Sequence, residues 1–148
     1  MPPAPAPARP APAADAERSP DPRAPIVRAI RASYARELDR RDAMVRELAA
    51  SGPSREPWTR GVGAAFDHWL REVASEGLEA PHVGEPRCFT AGCATALTFA
   101  DRATADAFAE RVRKTPSDWA GGRVLTPPEE LASGEVLVTW MLLRPDGL

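Results

Sequence analysis

The chain contains no asparagine and no glutamine, and it has a single lysine, Lys114, against 18 arginines. Isoleucine occurs only twice. This composition is typical of a GC-rich genome, so arginine is the default cation here and its abundance says nothing about chemistry. The 19 basic and 21 acidic residues nearly balance. That balance argues against a nucleic-acid-binding protein, which would depend on a strongly basic domain.

A long apolar segment is also missing. The longest strongly apolar stretch, Val136 to Leu143, has the length of a strand and is far shorter than the roughly 20 residues of a membrane span. The N-terminal residues lack the apolar stretch of about 7–15 residues that marks a signal peptide. We therefore expect no membrane span in this chain.

Motifs for catalysis are absent as well. The chain has no G-x-S-x-G nucleophile elbow and only two histidines, His68 and His82. Their positions, one within a predicted helix and one in a predicted loop, are typical of structural residues. The glycines at Gly61 and Gly63 lack the preceding strand and the third glycine of a dinucleotide loop, and we expect them to allow close helix packing or a local kink. The sequence predicts neither enzymatic activity nor a cofactor.

Proline divides the chain into two parts. Residues 1–25 hold nine of the 17 prolines and eight alanines. Because such repeats favour polyproline II and cannot close a helix, they predict a disordered, semi-rigid tether of about 3 Å per residue. Residues 26–148 are long enough for a single α+β domain.

Two segments after the tether show the period of an amphipathic helix. One spans residues 26–50 and the other about 55–75, and Ser51-Gly52-Pro53 separates them. The short connection predicts an antiparallel helical hairpin.

The pattern then changes to the two-residue period of strands. Strands are predicted in residues 87–99, around a turn at Thr90-Ala91-Gly92, and in 123–125 and 135–143. A helix over 102–114 is predicted to begin after the N-cap Asp101. Since both faces of 135–143 are apolar, we expect that strand to be covered on both sides. The fold class is α+β, with an N-terminal helical hairpin followed by a small antiparallel sheet with one helix, in the order ααββαβ.

The two cysteines, Cys88 and Cys93, face each other across the predicted turn, at a separation that suits a disulfide. Such a bond would imply an oxidising compartment, the periplasm or the cell exterior. Two reduced thiols in a cytosolic protein are the alternative, and the C-x-x-C spacing of a redox pair is missing. The cysteines with His68 and His82 also lack zinc-site spacing, so we expect no metal.

One stretch of the chain is Arg87-Cys88-Phe89-Thr90-Ala91-Gly92-Cys93. It is followed by a short strand, Asp101, a helix with Phe108 and a strand ending Leu143-Arg144-Pro145. This series resembles a group of exported myxobacterial proteins without an assigned activity. The resemblance covers about residues 40–145. In that group Arg-Val usually follows the second cysteine, where this chain has Ala94-Thr95. The resemblance implies export and a disulfide, and it implies no activity.

These observations predict a non-enzymatic exported module that binds another protein, or has a structural role, at a bacterial cell envelope. The predicted contact region combines the hairpin tip with an exposed tryptophan beside Gly121-Gly122. Its residues are Phe89, Thr90, Ala91, Gly92 and Trp119. The alternative for the tryptophan is that it folds back onto the sheet.

Two other functions remain open at this point. One is a cytoplasmic adaptor or regulator that uses helix 26–50 as a partner or dimer surface. The other is a small hydrolase or metal-dependent enzyme that uses His82, Cys88 and Cys93.

Overall fold

Two long antiparallel strands form the centre of the molecule. In the computed structural model, which describes residues 21–74 and 77–148, Gly92–Phe99 pairs with Val136–Leu143 along all eight residues of each strand. The predicted disorder of residues 1–20 lies outside the described residues. The two strands are the ones that the alternating apolar pattern predicts.

Four short strands complete the sheet. In chain order the strands are β1 (His82–Val83), β2 (Arg87–Phe89), β3 (Gly92–Phe99), β4 (Arg123–Leu125), β5 (Glu129–Glu130) and β6 (Val136–Leu143). The outer side of β3 pairs with β1 and β2, and the outer side of β6 pairs with β4 and β5. Both edges are therefore made of short pieces, which limits unwanted pairing with another chain. Strand β1 replaces the predicted loop around His82, and no local pattern indicates β5, because two residues are too few to show a period.

Helices cover both faces of this sheet. They are α1 (Ala24–Arg31), α2 (Glu37–Ala50), α3 (Val62–Ala74), preceded by a 3₁₀ turn at Pro57–Gly61, and α4 (Arg102–Lys114). The longest has 14 residues, and no described helix is long and apolar enough to cross a bilayer. The α+β class, with an antiparallel sheet and one helix between its strands, is confirmed.

One face of the sheet packs against α3 and α4. Trp140 lies at its centre with no exposed surface. Its ring stacks on Trp69 at a centroid distance of 5.5 Å and meets Phe66 and Phe108 edge-on at 5.4 and 5.8 Å. These aromatic pairs bind two helices to one strand, and each is worth about 0.5–1.5 kcal/mol beyond its buried area.

The other face packs against α1 and α2. Ile26, Met44 and Leu48 are buried there with Met141 and Leu143 of β6. Alternate residues of β6 thus enter two different cores, so the predicted covering of this strand on both sides is confirmed.

The predicted helix 26–50 is in fact two helices, which pack against each other. The chain is extended at Ala32 and again at Arg36, and the guanidinium of Arg40 donates to the Ala32 carbonyl at 3.3 Å. The break lets α1 and α2 lie on the same face of the sheet, and it leaves Leu38 outside the apolar stripe at 39 % exposure. The helical pair therefore forms within 26–50, and not between 26–50 and 55–75, because α2 and α3 belong to opposite faces.

Residues 21–25, assigned above to the tether, belong to the folded part. The Asp21 carboxylate accepts from the backbone and the guanidinium of Arg23, at 2.9 and 3.0 Å, and these hydrogen bonds lower the pKa of Asp21. Arg23 also pairs with Asp146 near the C-terminus. A turn then leads into α1, whose first turn accepts Pro25 because the missing N–H has no helical partner there.

The aromatic packing generates a stability prediction. We expect Phe108→Ala to lower the free energy of unfolding by about 3–5 kcal/mol, because it removes a buried ring that contacts both Trp140 and Phe99. Urea unfolding measures the effect. The control Leu38→Ala, at an exposed helix position, should change stability by less than about 0.5 kcal/mol. Equal effects from the two variants would contradict this account of the core.

Candidate functional site

The predicted disulfide is confirmed. The sulfur atoms of Cys88 and Cys93 are bonded, and the two Cα atoms are 4.0 Å apart. The residues lie directly opposite each other in the β2–β3 pairing. Cys93 is buried in the core on the α3–α4 side, and Cys88 packs against the same core.

The hairpin tip next to this bond is fastened on two sides. The Thr90 N–H donates to the Gly52 carbonyl at 2.8 Å, and the Ala91 N–H donates to the Ser51 hydroxyl at 3.0 Å. The Ala91 carbonyl accepts from the Arg144 N–H at 2.8 Å. The tip is therefore a joint between the loop after α2 and the end of β6.

Burial limits what the tip offers to a partner. Ala91 has no exposed surface, Gly92 is buried, and Phe89 and Thr90 are half-buried. A Cβ atom on Gly92 would lie 2.6 Å from the Leu142 carbonyl oxygen, so close backbone packing requires glycine there. Contact with a partner stays a prediction for the accessible parts of Phe89 and Thr90.

Trp119 folds back onto the end of the sheet, as the alternative interpretation had it. Its indole N–H donates to the Leu143 carbonyl at 2.7 Å, and its ring packs on the α3–α4 side of the core. The structure thus brings Trp119 and the hairpin tip to the same end of β6. Both act there as structural supports of Leu143 and Arg144.

A polar cluster that the sequence did not predict closes the same end. The Glu56 carboxylate accepts from the Trp58 indole at 2.8 Å and from the Arg144 guanidinium at 2.6 Å. The Trp58 hydrogen bond, followed by the charge of Arg144, lowers the pKa of Glu56. The Glu56–Arg144 ion pair fastens the segment before α3 to the residue after β6.

The residues considered for catalysis or metal binding do not converge. His68 and His82 are both exposed, on α3 and β1. Cys88 and Cys93 are bonded to each other and offer no thiolate to a metal or a substrate. Within the described ranges, no group of three His, Cys, Asp or Glu side chains is placed to hold a metal ion.

A cleft between α4 and the edge strand β4 is the site that sequence reasoning missed. It has a cavity of about 240 Å³ lined by Val112, Arg113, Arg123, Val124, Leu125 and Trp140. A neighbouring groove of about 400 Å³ shares Arg113, Val124 and Leu125 and extends towards α2. We call the two together the α4–β4 cleft.

Arg123 is the unusual side chain of this cleft. Its guanidinium lies 5.5 Å from the centre of the Trp69 ring and donates to the Thr115 carbonyl. Burial lowers the pKa of Arg123, and no carboxylate among the described residues pairs with it. Other arginines of the cleft do have carboxylate partners, such as Arg113 with Glu110 at 2.8 Å and Arg102 with Asp106 at 3.0 Å.

No sequence signal marked this site. Arg123 is one of 18 arginines, and its unusual surroundings come from α3, α4 and β4 together. Comparison of the chain with protein-family models, with curated proteins and with solved structures finds no match. The cleft therefore has to be interpreted from its own geometry.

Of the two roles predicted for Gly61 and Gly63, the packing role is wrong, since a Cβ atom at either position would meet no atom within 4 Å. A local irregularity is present, because the 3₁₀ turn ends at Gly61 and the α-helix begins at Val62. Close approach occurs instead at Gly121, in the Trp119 loop. A Cβ atom there would lie 2.2 Å from the Leu143 carbonyl oxygen.

These glycines form a matched pair for mutation. We expect Gly121→Ala to destabilise the protein by about 1–3 kcal/mol, because the added methyl group collides with the backbone of β6. Gly63→Ala should stabilise it by about 0.4–1 kcal/mol, because alanine fits the helical backbone at the second residue of α3 and reduces the conformational entropy of the unfolded chain. Urea unfolding compares the two variants, and effects of the same sign would show that the local geometry is wrong.

The disulfide should contribute modestly to stability. Reduction is expected to lower the free energy of unfolding by about 2 kcal/mol, since the bond closes a very short loop. Thermal unfolding with and without a phosphine reductant measures this difference. The double variant Cys88→Ala/Cys93→Ala is the control, and its unfolding should not respond to the reductant. A reductant-insensitive wild type would contradict the prediction.

Proposed function

We propose that this chain is a non-enzymatic, exported binding module that works at a bacterial cell envelope. The observation that carries the proposal is the Cys88–Cys93 disulfide. Structural disulfides persist in oxidising compartments and are rare in the reducing cytosol. The bond lies beside the joint at Ala91, where the loop after α2 and the end of β6 meet.

The position of the bond supports a structural role for it in the proposed compartment. Cys93 is fully buried, and Cys88 lies next to Phe89, which bridges to Pro53. The disulfide therefore holds β2 against β3 where the hairpin anchors the loop after α2. An exported domain without cytosolic chaperones would benefit from such a covalent constraint.

Binding is favoured over catalysis by the kinds of groups that meet in the α4–β4 cleft. Around Arg123 its walls are mainly apolar, and the charged side chains there are arginines. The carboxylates of the wider groove, Glu37 and Asp106, are paired with Arg40 and Arg102. Guanidinium groups are poor proton-transfer groups because they stay charged. They are suited to holding an anionic or polar partner in place.

The cytoplasmic adaptor is a weaker proposal. Its partner surface would need the apolar residues of 26–50, but Ile26, Met44 and Leu48 are buried against the sheet. The outward side of α2 carries ion pairs such as Arg40–Glu37 at 2.9 Å. Exposed pairs of this kind contribute little to binding energy.

The N-terminal sequence fits the same proposal. The Pro/Ala-rich composition of residues 1–20 is typical of a semi-rigid spacer. The described part begins with Asp21, which is joined through Arg23 to the C-terminal end at Asp146. A spacer would therefore connect to the domain at a firmly held point.

An alkylation experiment tests the proposed compartment. The protein is expressed once in a bacterial periplasm and once in a reducing cytosol. Each sample is alkylated in denaturant without reductant, so that the buried Cys93 is reachable, and weighed intact. We expect the periplasmic protein to gain no adduct until it is reduced, when it should gain two. The reduced and alkylated sample is the internal control.

The opposite result is equally clear. If the periplasmic protein is folded by circular dichroism before denaturation, yet labels at both cysteines without reduction, the bond does not form where the proposal needs it. The export proposal then loses its main support.

A further inference from the structure

The starting point is the electrostatic cost of Arg123. A guanidinium that is partly removed from water loses hydration, and this loss is normally compensated by a carboxylate partner. Arg123 is half-buried. Its guanidinium donates a hydrogen bond to the Thr115 carbonyl and lies over the face of the Trp69 ring. Within the described residues its positive charge has no negative counterpart. An anionic group entering the cleft would supply it.

The cavity next to Arg123 has room for a small ligand. Its volume is about 240 Å³, and it continues into the groove of about 400 Å³ through shared walls at Arg113, Val124 and Leu125. Together the two spaces fall in the range of small-molecule sites. The ligand can therefore include an uncharged body in addition to its charged group.

The walls specify the rest of the ligand. Val112 and Leu125 contribute aliphatic side chains to the lining, and Trp140 lies at its inner side. An apolar or aromatic body of a few carbon atoms would be desolvated there favourably.

The number of cations limits the charge of the ligand. Arg113, the other cation of this cavity, is already paired with Glu110 at 2.8 Å. One unpaired guanidinium matches a singly charged carboxylate, to which its planar fork can donate two parallel hydrogen bonds. A doubly charged phosphate would need more positive charge than the cleft has free.

We propose that the α4–β4 cleft binds an organic carboxylate with a small apolar body, with Arg123 as the binding residue for the carboxylate. The proposal deepens the binding role given above, and it does not depend on export. A failed alkylation test would leave it standing, and a failed ligand test would leave the disulfide evidence for export unchanged.

The probe is phenylacetate, with the uncharged phenylacetamide as its matched partner. The readout is the indole N–H resonances of the four tryptophans in the disulfide-bonded protein. Trp140 is a suitable reporter because its indole nitrogen is buried and has no acceptor among the described residues. We assign that nitrogen no contact with the ligand.

We expect phenylacetate to shift the Trp140 resonance in a saturable way, and phenylacetamide to bind at least tenfold more weakly. Arg123→Gln should weaken phenylacetate binding by about tenfold or more, since it removes a charge-assisted hydrogen bond. Arg60→Gln, an exposed arginine of the 3₁₀ turn outside the cleft, is the matched control and should bind as the wild type does.

Three results would overturn the proposal: no saturable shift at the solubility limit of phenylacetate, equal affinity for acid and amide, or unchanged binding by folded Arg123→Gln. If Arg123→Gln does not fold, the comparison of acid and amide on the wild type still decides the question. N-acetylphenylalanine then separates two sources of the carboxylate. Tighter binding than phenylacetate assigns the site to a peptide carboxyl terminus, and weaker binding assigns it to a free acid.

Discussion

The packing around Trp140 is the interaction on which the rest of the structure depends. This residue lies on the central strand β6, fully buried, and its ring contacts Trp69 and Phe66 of α3 and Phe108 of α4. The position of both helices on the sheet follows from these contacts. The α4–β4 cleft depends on the same packing, because Trp140 is part of its lining and the guanidinium of Arg123 lies over the Trp69 ring.

A second constraint acts at the end of β6. The Leu143 carbonyl accepts from the Trp119 indole, and the Leu143 N–H donates to the Gly122 carbonyl. The Arg144 N–H donates to the Ala91 carbonyl, and the Arg144 side chain pairs with Glu56. Segments from four regions of the chain meet there, and the disulfide supports the hairpin that contributes one of them. This explains why the hairpin tip is largely buried and why the open cleft lies elsewhere.

The arginines show how surroundings give one residue a role that its type does not. Several arginines form exposed ion pairs, such as Arg36–Asp39 and Arg102–Asp106, which add little free energy. Arg123 has the same side chain, but it is half-buried on an aromatic ring, and no carboxylate in the described part of the chain pairs with it. In a chain where arginine is the default cation, only this difference in desolvation marks a candidate site.

The sequence by itself determined the elements whose signals are local. The N-cap at Asp101, which accepts from the Thr104 N–H at 2.8 Å, the alternation in 136–143 and the facing of Cys88 and Cys93 depend on residues a few positions apart. The break of helix 26–50 at Ala32 lies in a stretch without proline or glycine, so no local signal marks it, and both resulting helices pack on one face of the sheet. The α4–β4 cleft and the burial of Ala91 were likewise decided only by the tertiary structure, since they join residues distant in sequence whose proximity has no local signature.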